Sequence, residues 1–387
     1  MFAEQGERSY AAQLTVVGFG LAICLTAARL DDPVAYVFGK GAFAPLVVDS
    51  FSRVAMLVLM AGGAVATLIS PAYARHAGHA HGEYYALIVF SIVGMAVMVM
   101  AGDLFTFFLG LETMSIAVYA LTGLRQNDPR APEAALKYFL MGAFATGFLL
   151  FGITFVYGAT GSVTLSDLYS AVRPDFVQRE DPMLTLGLIL IMIGFSFKVA
   201  AVPFHMWAPD TYEGAPTPVT GFMAVGVKAA AFISLLRLVV VGLRDSGLSE
   251  PTWLQLLSVI AVSTIVVGNA MALVQQNMKR MLAYSSVSHG GYVLIGVIAA
   301  AKGSEGAGVA VMFYLTGYTF MTLGAFGVLT FLERRDGGFE AERFGAYAGI
   351  GFRHPALGAV MALFMVALAG MPPTVGFFGK LYLFSAA

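Results

Sequence analysis

Glu112, Lys198 and Lys228 each stand inside an apolar run long enough to cross a membrane. Glu112 lies in FFLGLETMSIAVYAL, Lys198 in GFSFKVAAVPF and Lys228 in GFMAVGVKAAAFISLL. A charge at membrane depth costs at least about 2.5–3.5 kcal/mol on insertion scales, so its presence needs a reason. A carboxylate alone in hydrocarbon takes up a proton and ionises beside a cation; a lysine taken out of water can give its proton up near neutral pH. One carboxylate and several amines in an apolar bundle therefore read as a proton relay. Ser115 and Tyr119, three and seven residues beyond Glu112, share its helical face. The plainer alternative for Glu112 is a hydrogen bond that ties two helices together. Lys380 follows a proline break and could instead snorkel to the interface. His205, beside Trp207, could pass protons between lysines or satisfy unwound backbone. His289, near Ser285, Ser286 and Tyr292, extends the polar path or packs between helices.

The elements that must position these groups follow from composition. Of 387 residues, 58% are hydrophobic and 12% charged, against roughly 25% charged in a soluble domain. Mean hydropathy is +0.80. Lys and Arg number 22 and Asp and Glu 23, giving a net charge of −1, which offers nucleic acid no basic surface. The single cysteine, Cys24, excludes a disulfide framework, a CxxC zinc site and an iron–sulfur cluster held by this chain alone. Neither GxxxxGK[ST] nor GxGxxG occurs, so no nucleotide or NAD site is expected. His76, His79 and His81 form a loop cluster without a carboxylate framework, and no designed metal site is expected there.

Apolar runs of about 20 residues are the length a helix needs to span hydrocarbon. Eleven occur, at 11–30, 52–70, 84–101, 104–123, 133–158, 183–203, 217–243, 252–274, 281–301, 306–332 and 355–386. The predicted fold is an all-α, multi-pass membrane protein forming one membrane domain. MFAEQGERSY lacks a basic leader region, so 11–30 reads as a span. Loops with Arg75, Arg125, Arg130, Lys279, Arg280, Arg334, Arg335, Arg343 and Arg353 should face the cytoplasm, placing the N-terminus inside. Lys279 and Arg280 read as anchors on that side, Glu133 and Lys137 as an i,i+4 surface pair, and Arg237 as a snorkelling side chain.

Two spans are broken by proline, one at Pro203 and one at Pro372 and Pro373. Paired interruptions point to a transport site. YFLMG at 138 and FYLTG at 313 are 313 − 138 = 175 residues apart, Ser115/Tyr119 and Ser288/Tyr292 are 173 apart, and Pro203 and Pro373 are 170 apart. These offsets suggest one five-helix unit used twice; its odd helix count requires the second copy to be inverted. The organisation expected is peripheral helices over 1–101, a first repeat over 102–243 and a second over 252–387 without its last helix.

The strings GLETMSIAVYALTGL, EAALKYFLMGAFATGFLLFGITFVYGATGS, FKVAAVPFHMWAPDTYEGAPTPVTGFMA, KRMLAYSSVSHGGY and AGMPPTVGFFGKLYLF resemble the antiporter-like membrane subunits of proton-pumping NADH:quinone oxidoreductase, respiratory complex I. YEGAPTPVT and ALKYFLMGAF are most similar to the subunit N (chain 2) branch. The resemblance runs from about residue 11 to 387. It implies a fourteen-helix fold with two inverted five-helix repeats, of which the first helix and the last two are then expected to be missing here. It implies an ion pair between Glu112 and Lys198, and proton transfer from Lys198 through Lys228 and His205 to Lys380. It further implies a subunit of a redox enzyme in the bacterial inner membrane, with no cofactor of its own. NAD, FMN, iron–sulfur clusters and quinone would sit in partner subunits. Its neighbours would be other antiporter-like subunits and lipids. The alternative is a subunit of an Mrp-like multi-subunit cation/proton antiporter. Sodium would want several hard oxygen ligands, and the deep set here offers one carboxylate among lysines. A scaffold without proton traffic would tolerate neutralising these charges.

Overall fold

The computed structural model describes residues 7–76, 82–125, 128–172, 181–244, 251–336 and 342–387. The chain is a helical bundle. α1 (Glu7–Ala27) leads through a short antiparallel hairpin, β1 (Ala35–Val37) on β2 (Leu46–Val48), to α2 (Ser50–His76), α3 (Gly82–Met100), α4 (Leu104–Thr122) and α5 (Arg130–Thr160). A short α6 (Leu165–Val172) precedes α7 (Pro182–Lys198) and α8 (Trp207–Gly214). α9 (Thr217–Phe222) runs through a π-helical turn, Met223–Val227, into α10 (Lys228–Arg237) and a second π turn, Leu238–Gly242. α11 (Thr252–Leu273), α12 (Met278–Ala301) and α13 (Ala307–Asp336) follow, then a short α14 (Ile350–Arg353), α15 (Pro355–Ala369) and α16 (Val375–Ala386). Among the described residues, nine helices are long and apolar enough to cross a membrane; the pairs α7/α8 and α15/α16 supply the two broken spans. That makes the eleven spans expected from the sequence.

Sequence determines the helix starts. Asp103 caps α4 by accepting from the Thr106 amide at 2.7 Å, so this acid near a helix end serves the backbone. Asp181 caps α7, with Pro182 at its first position, and Asn277 caps α12.

The breaks are full stops rather than kinks, and they share one backbone pattern. α7 ends where Ala200 takes a left-handed conformation (φ 57°) and Ala201 N donates to Ser196 O at 2.8 Å. α15 ends where Gly370 is left-handed (φ 82°) and Met371 N donates to Val366 O at 3.2 Å. Both are Schellman terminations, and every position in one lies 170 residues from its counterpart in the other. Cis X-Pro bonds follow in each, at Val202–Pro203 and Pro372–Pro373.

Glycine sets the closest helix pairs. A Cβ on Gly94 of α3 would stand 2.4 Å from the Met114 amide nitrogen of α4. One on Gly268 of α11 would stand 2.6 Å from the Ser288 amide nitrogen of α12. These approaches are again equivalent, 174 residues apart. Residues 102–243 hold only four of the spans, and the α3/α4 pair corresponds to α11/α12.

α10 is fully enclosed, with every residue from Lys228 to Arg237 buried, as is every residue from Thr217 to Val227 before it. Arg237 does not snorkel. It is 5% exposed, pairs with Asp49 at 2.7 Å and stacks on the Phe51 ring at 5.2 Å.

Candidate functional site

Lys198 closes α7 immediately before the first break, and its side chain is 5% exposed. Its ammonium donates to Ser115 Oγ on α4 at 2.7 Å and lies 5.4 Å from the ring centres of Tyr119 and Tyr138. Tyr138 stacks on Trp207, the first residue of α8, at 4.3 Å. The lysine is thus held by a hydroxyl and two aromatic faces, an arrangement that accommodates an ammonium at reduced solvation. Glu112 does not form an ion pair within 4.0 Å of Lys198. Its Oε1 is buried without a hydrogen-bond partner. The directly closed pair that the family resemblance implied is therefore replaced by a Lys198–Ser115 bond, with Glu112 one turn away on α4. Tyr119 packs its hydroxyl where Gly142 of α5 leaves room, since a Cβ there would lie 2.0 Å from it.

Lys228 opens α10 just after a π turn, a distortion that recurs at functional sites. It is 4% exposed, and its Nζ donates to Ser286 O and Ser286 Oγ, both at 2.5 Å. The hydroxyls of Tyr212 of α8 and Tyr318 of α13 lie near Ser286. Ser285, named beside Ser286 from the sequence, instead turns its carbonyl to Ser288.

His289 lies three residues beyond Ser286 on α12 and is 4% exposed. Its Nδ1 meets the Tyr314 hydroxyl at 2.5 Å, and the rings of Tyr318 and Tyr292 lie 5.1 and 5.7 Å away. Lys380 of α16 does not turn to the surface. Its Nζ donates to Leu368 O at 3.1 Å and Ala369 O at 3.0 Å, the last carbonyls of α15, and lies 5.0 Å from the Tyr292 ring centre. A cation at a helix C-terminus is favoured by the free carbonyls and the helix dipole. Tyr292 thus borders both His289 and Lys380. His205 stands apart from this arrangement. Its ring meets Tyr284 at 6.2 Å, and its Nδ1 is buried without a partner among the described residues.

Charges cluster at one end of the bundle. Asp210 of α8 accepts from Arg280 at 2.7 Å and from Lys137 at 3.0 Å; Glu213 pairs with Arg280 at 2.9 Å. Lys279 is no surface anchor. It is fully buried and donates to Glu213 O and Ala215 O at 2.8 Å each, closing the C-terminus of α8, with Glu342 at 3.5 Å. Lys137 bonds Asp210 as well as Glu133, which ties α5 to the broken span. At Asp49, burial raises the pKa, and the Arg237 guanidinium more than offsets it, leaving the carboxyl low.

Among the described residues, no group of three or more His, Cys, Asp or Glu is placed to hold a metal ion. His79 and His81 lie outside the described residues. The sequence reading missed the partners: Ser286 as the seat of Lys228, and Tyr138, Tyr212, Tyr314 and Tyr318. Tyrosine inside an apolar run is the signal that could have found them, because a buried hydroxyl needs a partner.

Residues 101–387 match the family described as NADH:quinone oxidoreductase/Mrp antiporter, transmembrane. NADH-quinone oxidoreductase subunit N 1 of Sorangium cellulosum (strain So ce56) is 48% identical over 90% of this chain and 69% of its own length. A chain in respiratory complex I from Thermus thermophilus is 33% identical with a TM-score of 0.79, covering 98% of this chain and 78% of that one. A chain in the Mrp complex from Dietzia sp. DQ12-45-1b is 25% identical with a TM-score of 0.85, covering 98% of this chain and 70% of that one.

Proposed function

This chain belongs to the NADH:quinone oxidoreductase/Mrp antiporter family of membrane subunits, on its subunit N branch, and from that membership we propose that it carries protons along Glu112, Lys198, Lys228, His289 and Lys380. It acts as a subunit of a respiratory NADH:quinone oxidoreductase in the bacterial inner membrane. The redox work belongs to partner subunits, which hold NAD, FMN, iron–sulfur clusters and quinone. Other antiporter-like subunits and lipids flank it. Each repeat contributes one break, and the first five-helix unit takes in α3 and so starts at Gly82 rather than at residue 102.

The observation that carries this reading is the succession of enclosed amine and imidazole groups between the two breaks. Lys198 sits on Ser115, Lys228 on Ser286, and His289 lies one turn further along α12 and borders the same tyrosine as Lys380. These are groups that can gain and lose protons, and among the described residues no group of three or more His, Cys, Asp or Glu is placed to hold a metal ion. Ser115 gives the relay a switch. With Lys198 bonded to its hydroxyl, Glu112 is free to exchange protons; when Lys198 swings to Glu112, the ion pair holds both charged. One charge moved through the membrane potential is worth about 2.3 kcal/mol per 100 mV, within reach of such a pair forming and breaking. The greater identity to subunit N than to the Mrp chain favours complex I over a cation antiporter.

The test is NADH:quinone reductase activity and NADH-driven acidification in membranes carrying Glu112→Gln or Lys198→Ala in an assembled complex. Both activities should fall sharply in each variant. Normal pumping in both variants would sink the relay. Sodium-dependent pH changes in vesicles would revive the Mrp reading.

A further inference from the structure

Tyr292, Tyr314 and Tyr318 all border His289, but among the described residues only Tyr314 gives the ring its hydroxyl. Tyr292 accepts from Asn269 at 3.1 Å, and the Tyr318 hydroxyl lies near Ser286 and Thr322. Tyr314 of α13 is 1% exposed and places its hydroxyl 2.5 Å from His289 Nδ1.

Tyr314 also packs against the helix that carries Lys380. A Cβ on Gly379, the residue before Lys380, would stand 2.6 Å from Tyr314 Cδ2. One on Gly317, three residues beyond Tyr314, would stand 2.5 Å from Val375 Cγ1 at the start of α16. These two glycines let α13 and α16 close on each other, so the Tyr314 side chain lies between His289 and the backbone beside Lys380. The other titratable groups around His289 come from four elements. Lys228 of α10 has its Nζ 3.8 Å from where a Cβ on the neighbouring Gly290 would stand. Tyr318 comes from α13, Tyr292 from α12 itself, and Lys380 from α16, set on the Tyr292 ring. The Leu368 carbonyl, which accepts from Lys380, also lies near His289.

A hydroxyl can donate and accept. Toward a neutral imidazole, Tyr314 donates its hydrogen to Nδ1. Toward a charged imidazole it turns that hydrogen away, and its oxygen accepts from Nδ1–H. The ring gains one proton as it charges and loses one as it discharges, while the tyrosine keeps its own. A buried nitrogen left without a partner is costly, and more so when it is a charged donor.

We propose that Tyr314 is a positioning residue for proton transfer at His289: its hydroxyl keeps Nδ1 bonded in both charge states and so holds the ring in place beside Lys228 and Lys380. This inference rests on the relay reading of His289.

The experiment uses membranes with the assembled complex, quantified by native gel, and compares Tyr314→Phe, His289→Gln and the double variant. Acidification per assembled complex is followed from pH 6 to 8. Phenylalanine keeps the ring and its packing on Gly379 and removes only the hydroxyl. Tyr314→Phe should lower acidification by about tenfold, the gap between a hydrogen bond to a charged group and one to a neutral group. The deficit should deepen as pH rises, because the hydroxyl favours the charged ring most. The double variant should be no worse than His289→Gln alone, since Tyr314 acts only through that ring. A wild-type rate and pH profile in Tyr314→Phe, with His289→Gln impaired, overturns the positioning role and leaves the relay standing. A further loss in the double variant, or fewer complexes with an unchanged pH profile, also overturns it, since that is a structural role. Normal pumping in His289→Gln overturns the relay through His289 and this inference with it.

Discussion

Lys198 Nζ donates to Ser115 Oγ at 2.7 Å, while Glu112, three residues before Ser115 on the same helix, keeps a buried oxygen without a partner. The lysine is thus held by the serine and not by an ion pair with Glu112.

Ser115→Ala removes that alternative acceptor. A buried charged donor left without its partner costs about 1–3 kcal/mol, so Lys198 should move to Glu112 and stay there. Acidification should fall about tenfold, equivalent to roughly 1.4 kcal/mol. Ser115→Thr keeps the hydroxyl and should stay near wild type. Equal rates for alanine and threonine, measured per assembled complex, would show that the hydroxyl does not act.

Adjacent serines on α12 should behave differently. Ser286→Ala takes from Lys228 its side-chain acceptor, whereas Ser285 has no bond to the lysine. Pumping should drop severalfold in Ser286→Ala and remain normal in Ser285→Ala. The reverse order would contradict the seat assigned to Lys228.

Gly268→Val forces a branched side chain against the Ser288 amide, and Gly94→Val does the same against Met114. Overpacking of this kind costs about 1–3 kcal/mol. Both variants should lower the amount and thermal stability of the complex. Valine at Gly20, which has nothing near its Cβ position, is the control and should be neutral.

Asp49 has its carboxyl held low: burial opposes this, and Arg237 prevails. A lowered folded pKa means the stabilisation is present above the ordinary value of 3.8 and is lost as pH falls through the folded value. Asp49→Asn should therefore melt at a lower temperature by the same margin at every pH from 5 to 7. Calorimetry on the solubilised complex measures this; a margin that shrinks between pH 7 and 5 would contradict the assignment.

Much of the candidate site was legible because hydrocarbon makes charge conspicuous. Glu112, Lys198, Lys228 and Lys380 stood out because each interrupts or adjoins an apolar run where an ion is costly. The two breaks were legible because proline removes a donor and clashes with the preceding turn. Their 170-residue spacing already suggested a repeat, and the paired left-handed terminations at Ala200 and Gly370 show it in the backbone.

Burial and partner choice were not legible. Lys279 and Arg237 looked like interfacial cations, yet both are buried. Lys279 finds the free carbonyls of α8, which exist only because the chain stops there, and Arg237 finds Asp49 from the far side of the hairpin. Ser285 and Ser286 are indistinguishable as residue types; the rotation of α12 against α10 selects Ser286 for Lys228. His205 and His289 were equal candidates as links, and the approach of α13 and α16 to α12 brings tyrosines and Lys380 around His289 alone. Sequence by itself determined which groups are too costly to leave in lipid without a purpose and where helices must stop, since both follow from local solvation and backbone chemistry. Tertiary structure decided which groups meet, because a hydrogen bond depends on the facing of helices that are distant in the chain.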